Sequence, residues 1–331
     1  MKIGFACKLS EFNSKKQVVS IPQYNFKTTT IKWLNSQDKD VAVAKLFELL
    51  QHNILAVSNL IKFVSTLPTR LQMVRLGSDM LPAYTHSNWS WFWQQSDIRS
   101  YLEKHLSPIG EFARANNIRL SFHPGQFCCL ASDKPEVVAN SIAEFEYHAD
   151  VARYMGYGKT FQDFKINVHI SGKQGYQGIL NVYPTLSDVA RNCITIENEE
   201  ITHGLDQCLL LANKVPIVLD LHHHFIMTGE YIQPDDPRVT IIQDSWKNVR
   251  PVIHLSVSSE TLLQQHNPDV LPDLTALLSA GYTKSKLRAH SIFMWNNAVN
   301  KWALQHNDWA DIMVECKSKN LGSFQFYSSR V

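Results

Sequence analysis

The chain has 331 residues, 44% of them hydrophobic, enough for a sizeable core and compatible with one large α/β barrel or two smaller domains. With 32 basic and 30 acidic residues the net charge is +2, so bulk electrostatics neither demands nor excludes a nucleic-acid partner, and any basic surface must be local. No run approaches the roughly 18 unbroken apolar residues of a membrane helix, the opening Met1-Lys2-Ile3-Gly4-Phe5 lacks a leader pattern, and six cysteines without a CxxC pair read as reduced thiols of a cytoplasmic protein with no membrane partner.

In chain order, Lys2 to Cys7 reads as a first strand, and a long polar connection runs from Lys8 to Lys39. An amphipathic helix is expected over Asp40 to Ser65, with Asp40 as N-cap. Leu71 to Leu76 is the second strand, followed by a helix over Asp97 to Asn116. Arg119 to Phe122 is the third, followed by a helix from Pro135 to Met155 with proline in its first turn. Phe164 to Ile170 is the fourth strand and Ile194 to Ile196 the fifth, with a helix near Leu205 to Asn213. The β-branched run Ile217 to Leu221 is the sixth, with a helix near Arg238 to Asn248. Val252 to Leu255 is the seventh, with a helix around Leu271 to Ala280, and Asp311 to Glu315 is the eighth. Eight β/α units in this order predict parallel strands closed into a (β/α)8 TIM barrel, one domain over residues 1–331.

The strand ends carry the chemistry. Strand three ends in His123, strand four in His169 and strand five in Glu197. Strand six ends in Asp220 with His223 three residues on, strand seven near His254 and strand eight in Glu315, while His290 lies between strands seven and eight. A lone histidine is more often structural than a ligand. Six consecutive strands ending this way are different, because in a barrel those ends converge on one pocket. Clustered carboxylates there repel one another and lose hydration unless cations neutralise them. Imidazole and carboxylate ligands without thiolate suit Mn²⁺, Zn²⁺ or Fe²⁺. The number of candidates exceeds what one ion takes, with Glu197 and Asp220 as bridging carboxylates. Clustered ions suit an in-line displacement at phosphorus, but sugar isomerases and epimerases on barrels use similar ligands, so the metal cluster alone leaves both classes open.

The segments Arg75-Leu76-Gly77-Ser78-Asp79-Met80-Leu81-Pro82 with His86, Phe122-His123-Pro124-Gly125-Gln126-Phe127, Val168-His169, Ile196-Glu197-Asn198, Leu219-Asp220-Leu221-His222-His223, Ile253-His254-Leu255-Ser256 and Met313-Val314-Glu315-Cys316-Lys317 fall in the order found in UV damage endonucleases. The chain resembles that family from its first strand to its end, and the family is similar in fold to endonuclease IV. The resemblance implies a metal-dependent DNA repair endonuclease that nicks the phosphodiester 5′ to UV photolesions, leaving a 3′-hydroxyl and a 5′-phosphate. It implies about two or three divalent ions, Mn²⁺ foremost and Zn²⁺ as an alternative. The ligands it implies are His123, His169, Glu197, Asp220, His223, His254, His290 and Glu315. The partner it implies is double-stranded DNA carrying UV lesions, met by a monomer inside the cell.

The same resemblance puts Arg75 at the DNA, makes Gln126 and Phe127 a wedge that fills the gap left by an extruded lesion, and assigns Phe5 to the lesion pocket. Phe127 replaces the usual tyrosine, and a core phenylalanine is the alternative. The family carries a lysine close to its metals two positions before the histidine of strand seven; here that position is Val252, which cannot ligate. A lesion-binding protein that does not cut is therefore a rival reading. Lys317 is expected at the barrel mouth by strand alternation, as a third catalytic group beside Glu197 and Asp220. Lys284, Lys286 and Arg288 read either as a phosphate-holding group or as a solvated basic face. Trp89, Trp91, Phe92 and Trp93 read as helix-packing aromatics, and His222 as a residue turned away from the metals.

Overall fold

All eight expected strands are present in the computed structural model, which describes residues 1–329. They are β1 (Ile3–Cys7), β4 (Met73–Leu76), β5 (Arg119–Phe122), β6 (Lys165–His169), β7 (Ile194–Glu197), β8 (Ile217–Val218), β9 (Val252–Leu255) and β10 (Asp311–Val314). Two short antiparallel strands, β2 (Ser10–Phe12) and β3 (Val18–Ser20), form a hairpin inside the stretch expected to be an irregular connection. Every neighbouring pair in the large sheet is parallel, in the order β8-β7-β6-β5-β4-β1-β10-β9. The ends of that order meet through a parallel bridge between Asp220 and His254, where the His254 N–H donates to the Leu219 carbonyl at 3.0 Å. The sheet thus closes into a barrel. A right-handed helical crossover after each strand is what leaves parallel strands adjacent and in sequence order.

The barrel is polar within and apolar without. Alternate residues of a strand face opposite sides, and the contacts that span the barrel identify the inward set. Arg119 of β5 reaches Asp311 of β10 at 2.8 Å, Lys165 of β6 reaches His254 of β9 at 2.9 Å, and Thr195 of β7 donates to Asn167 of β6 at 2.7 Å. Gly4 belongs to the same inward set. A Cβ there would stand within 2.9 Å of the side chains of Met73 and Met313, so the interior has no room for a larger residue on β1. The outward residues Phe5, Val74, Phe122, Ile166, Val168, Ile194 and Ile196 are buried under the surrounding helices, chiefly Lys39–Ser65, Ser96–Ala115, Pro135–Tyr154 and Asn320–Ser328. Each such side chain removed from water contributes about 1.5–3 kcal/mol, so this outer shell carries most of the stabilisation.

That alternation corrects one expectation. Phe5 does not line a pocket at the mouth: it faces outward, is fully buried, and meets Phe324 edge-on at 6.4 Å between ring centres. The aromatic run after β4 is also packing material. Phe92 and Trp93 are buried, and the Trp93 indole N–H donates to the Pro82 carbonyl.

Candidate metal centre

Seven inward side chains meet at the C-terminal mouth: Arg75, His123, His169, Glu197, Asp220, His254 and Glu315. Glu197, at the end of β7, lies at their centre and is almost completely buried. One oxygen, Oε2, is 3.2 Å from His123 Nε2 and 3.1 Å from His254 Nδ1. The other, Oε1, is 3.4 Å from His223 Nδ1 and 3.8 Å from His169 Nε2. Asn167 holds Oε2 from below through its amide. Two groups of potential ligands share Glu197: it joins His123 and His169 on one side, and Asp220 and His254 on the other.

The direction of the lone pairs fits this set to cations. The ring of His123 donates through Nδ1 to the Pro124 carbonyl at 2.9 Å, which leaves a neutral His123 with its lone pair on Nε2. That atom sits 3.0 Å from Nε2 of His169. Glu197 Oε1, Asp220 Oδ2 and His254 Nδ1 are buried without any hydrogen-bond partner. Convergent acceptors left unpaired in an enclosed site incur a desolvation penalty that a bound cation offsets. The donor set of imidazoles and carboxylates without thiolate suits a divalent transition ion, and the backbone anchor on His123 is the kind of outer contact that orients a metal-binding ring.

Asp220 has two tasks. Its Oδ1 accepts from the His223 backbone N–H at 2.7 Å and caps the helix Leu221–Thr228, while Oδ2 faces the cluster. Asn198 clasps the Asp220 backbone from both sides, accepting from its N–H at 2.8 Å and donating to its carbonyl at 3.1 Å. It also accepts, through its carbonyl, from His223 Nδ1 at 3.0 Å. His290 stands at the edge of the mouth, with its ring 6.4 Å from that of His223. His222 turns away, to Ser258 at 3.2 Å, and His224 pairs with Glu230.

Charge coupling in the cluster is strong. Burial pushes the Asp220 carboxyl up to about 7, only partly opposed by His223. Burial alone would also raise Glu197, but His254 and His169 outweigh it and hold that carboxyl well below its usual range. For Glu315 burial is likewise overcome, by Arg75 above all. Burial opposes protonation of His223, yet Asp220, Glu197 and Glu200 hold it up at about 9.

The remaining expected residues divide. Phe127 is 86% exposed, next to exposed Gln126 on a turn closed by the Cys128 N–H on the Gly125 carbonyl, so it is no core residue. Arg75, expected at the DNA, instead points into the barrel and pairs with Glu315, because its place on β4 belongs to the inward set. Lys317 lies in a turn beyond the end of β10, so strand alternation no longer aims it. Its side chain is exposed and makes no hydrogen bond or ion pair among the described residues. Of the basic trio, Lys284 donates to the Met227 carbonyl and Arg288 pairs with Glu200 at 3.2 Å. Val252 is buried at the base of β9. An amine does reach the cluster, from Lys165 on β6; its signal was the alternation Lys-Ile-Asn-Val-His, in which every polar residue faces inward.

A parallel barrel with imidazoles and carboxylates from six strands gathered at its mouth defines a class, the metal-binding barrels whose site is built on the strand ends. The particular family follows from sequence: residues 1–329 match the model of UV-endonuclease UvdE, and the chain belongs to that family of endonucleases. Curated relatives include the UV DNA damage endonuclease of Bacillus cereus strain B4264, 24% identical over 309 residues that cover 90% of this chain and 86% of the relative. That of Bacillus anthracis strain A0248 is also 24% identical, over 91% of this chain and 87% of the relative. Among solved structures, SacUVDE matches with a TM-score of 0.71 at 22% identity, covering 99% of this chain and 97% of its own. Endonuclease IV from Thermus thermophilus matches with 0.53 at 12% identity, over 83% and 94%. Both share the barrel fold.

Proposed function

We propose that this protein is a divalent-metal-dependent endonuclease that nicks duplex DNA immediately 5′ to UV photolesions, leaving a 3′-hydroxyl and a 5′-phosphate. The observation that carries the reading is the pair of ligand groups sharing Glu197, with an exposed aromatic, Phe127, on the loop that follows one of the ligands. His123, His169 and Glu197 would hold one ion and Glu197, Asp220 and His254 another, with His223, His290 and Glu315 at the edges of the set. When bound, such ions lower the pKa of water and stabilise charge on the phosphate.

The chain's own residues supply the rest. Asn167 fixes Glu197, Asn198 fixes Asp220 and the Pro124 carbonyl fixes His123, so the ligands are oriented before anything binds. Arg75 balances Glu315, which would otherwise add uncompensated charge to the mouth. Gln126 and Phe127 enter the duplex where a lesion has been pushed out, recovering stacking that the lesion had already weakened. Lys317, free at the mouth, meets a phosphate. Mn²⁺ suits the donor set best, with Zn²⁺ as the alternative, and the enzyme acts as a monomer on DNA within the cell.

The deciding experiment is a 5′-labelled oligonucleotide duplex with one cyclobutane dimer, incubated with metal-stripped protein and added Mn²⁺. Nicking at the 5′ side of the dimer, absent with EDTA and absent on undamaged duplex, is the expected result. Binding of the lesion without nicking at any divalent metal would overturn the endonuclease reading for this chain.

A further inference from the structure

Lys165 opens β6 and is buried inside the barrel, with a single hydrogen bond for its amine. A fully buried lysine is rare unless it has a partner. This one reaches across the barrel interior to β9, separated from β6 in the sheet by β7 and β8, and its Nζ stands 2.9 Å from Nε2 of His254. The other ring nitrogen, Nδ1, lies 3.1 Å from both Glu197 Oε2 and Glu315 Oε1 and has no hydrogen-bond partner. The two nitrogens of His254 are therefore assigned to opposite sides: one to the amine, one to the carboxylates.

We infer that Lys165 is a positioning residue for the metal centre, which occupies Nε2 of His254 and so presents Nδ1 as its ligand atom. This rests on the proposed metal site and names how one of its rings is oriented. A ligating histidine generally has its second nitrogen tied to a carboxylate, a backbone carbonyl or water. His123 follows that pattern through Pro124. His254 is fully buried in mid-barrel, and its own backbone N–H is engaged with Leu219, so the second nitrogen is met by a side chain from across the barrel. An amine suits that place because the carboxylates of Glu197 and Glu315 flank the ring on its far side, and a third carboxylate would add to their repulsion. Without Lys165 the ring could turn about its side-chain bonds, and nothing else in the structure holds Nε2.

The test uses the full chain, stripped of metal and titrated with MnCl₂ in the absence of DNA, with free Mn²⁺ read by its electron paramagnetic resonance signal. Lys165→Met removes the contact and keeps the length of the side chain. It should weaken binding of one ion by about 10–100-fold, the usual effect of losing an outer-shell partner, with the melting temperature of the metal-free protein unchanged or raised. Lys165→Gln offers Nε2 a polar partner again and should restore most of that affinity. A Met variant that titrates like the wild type would sink the inference, as would a Gln variant no better than Met. Crystals of the wild-type protein soaked in Mn²⁺ decide the question without a mutant. An anomalous peak against His254 Nδ1, with Lys165 still on Nε2, supports the assignment; a peak against Nε2 overturns it. Wild-type protein that binds no divalent ion would instead remove the metal reading itself, which keeps the two failures apart.

Discussion

At the scale of single residues, the site divides into groups that metal chemistry needs and a group that only DNA needs. Glu197 is shared by both ligand groups, and its burial leaves nothing to replace it. Glu197→Gln keeps the shape and one acceptor but removes the charge, so Mn²⁺ affinity should fall at least about 10–100-fold and nicking of a lesion duplex should become undetectable. Full nicking by that variant would remove the mechanism. Phe127 is the converse. Being 86% exposed, it contributes nothing to the core, and Phe127→Ala should change stability by no more than about 0.5 kcal/mol. Lesion-duplex affinity should nevertheless drop by roughly tenfold, the lower part of the range for a lost base-stacking aromatic. Fluorescence anisotropy beside a melting curve reads both, and equal affinity would return Phe127 to the status of a chance surface residue. Ligand identities were legible because each stood at the end of an apolar run. Phe5 and Arg75 were not, since what decides them is the side of the strand they face. The small inward residues Gly4 and Ala6 on β1, and the inward pair Met73 and Arg75 on β4, are the local signs of that side.

At the scale of elements, the informative one is the junction of β8 with its helix. The sequence reads as a strand through Leu221 followed by three histidines. In the structure the strand ends at Val218, and a helix begins at Leu221. Successive residues of a helix point about 100° apart, which is why His222, His223 and His224 diverge to Ser258, the Asn198–Glu197 side of the cluster, and Glu230. The helix signal was present, since Asp is a favoured N-cap, but the β-branched run before it masked where the strand stops. The double task of Asp220 gives a separable prediction. Asn caps a helix as well as Asp, so Asp220→Asn should keep the helix and lose metal affinity and nicking. Asp220→Ala should lose those and, in the metal-free protein, about 1 kcal/mol more stability than Asn. Chemical denaturation of both variants without metal makes the comparison, and equal stabilities would show that the cap is idle. The β2–β3 hairpin escaped notice for a different reason: three-residue strands carry too few alternations to stand out from a loop.

At the scale of the whole molecule, the barrel was legible because β/α alternation is long-range and redundant, so small errors at each boundary leave the topology unchanged. What the pattern hid was a barrel with its polar residues inside, where Arg119, Asp311, Lys165, Asn167 and Thr195 fill the space below the metal ligands. Such a molecule couples protons, metal and stability. Asp220 has its carboxyl raised from an unfolded value of about 3.9 to about 7, so without metal it is protonated in the folded state at mildly acid pH. His223, held up at about 9, keeps its extra proton further still. Both protons must leave for these groups to donate lone pairs. The sign follows: protons compete with metal below pH 7, and apparent Mn²⁺ affinity rises as pH rises through 7, by about tenfold per pH unit for each proton released. The climb continues more gently towards pH 9 as His223 is neutralised. Because a ligand that binds only the folded state stabilises it by an amount that grows with the ratio of its concentration to Kd, a fixed Mn²⁺ concentration should raise the melting temperature more at pH 8 than at pH 6. EDTA should abolish the difference at both. Calorimetric titration in two buffers of unlike ionisation enthalpy would register the released protons directly. A Mn²⁺-induced melting shift that is the same at pH 6 and pH 8 would mean that neither Asp220 nor His223 gives up a proton to the metal.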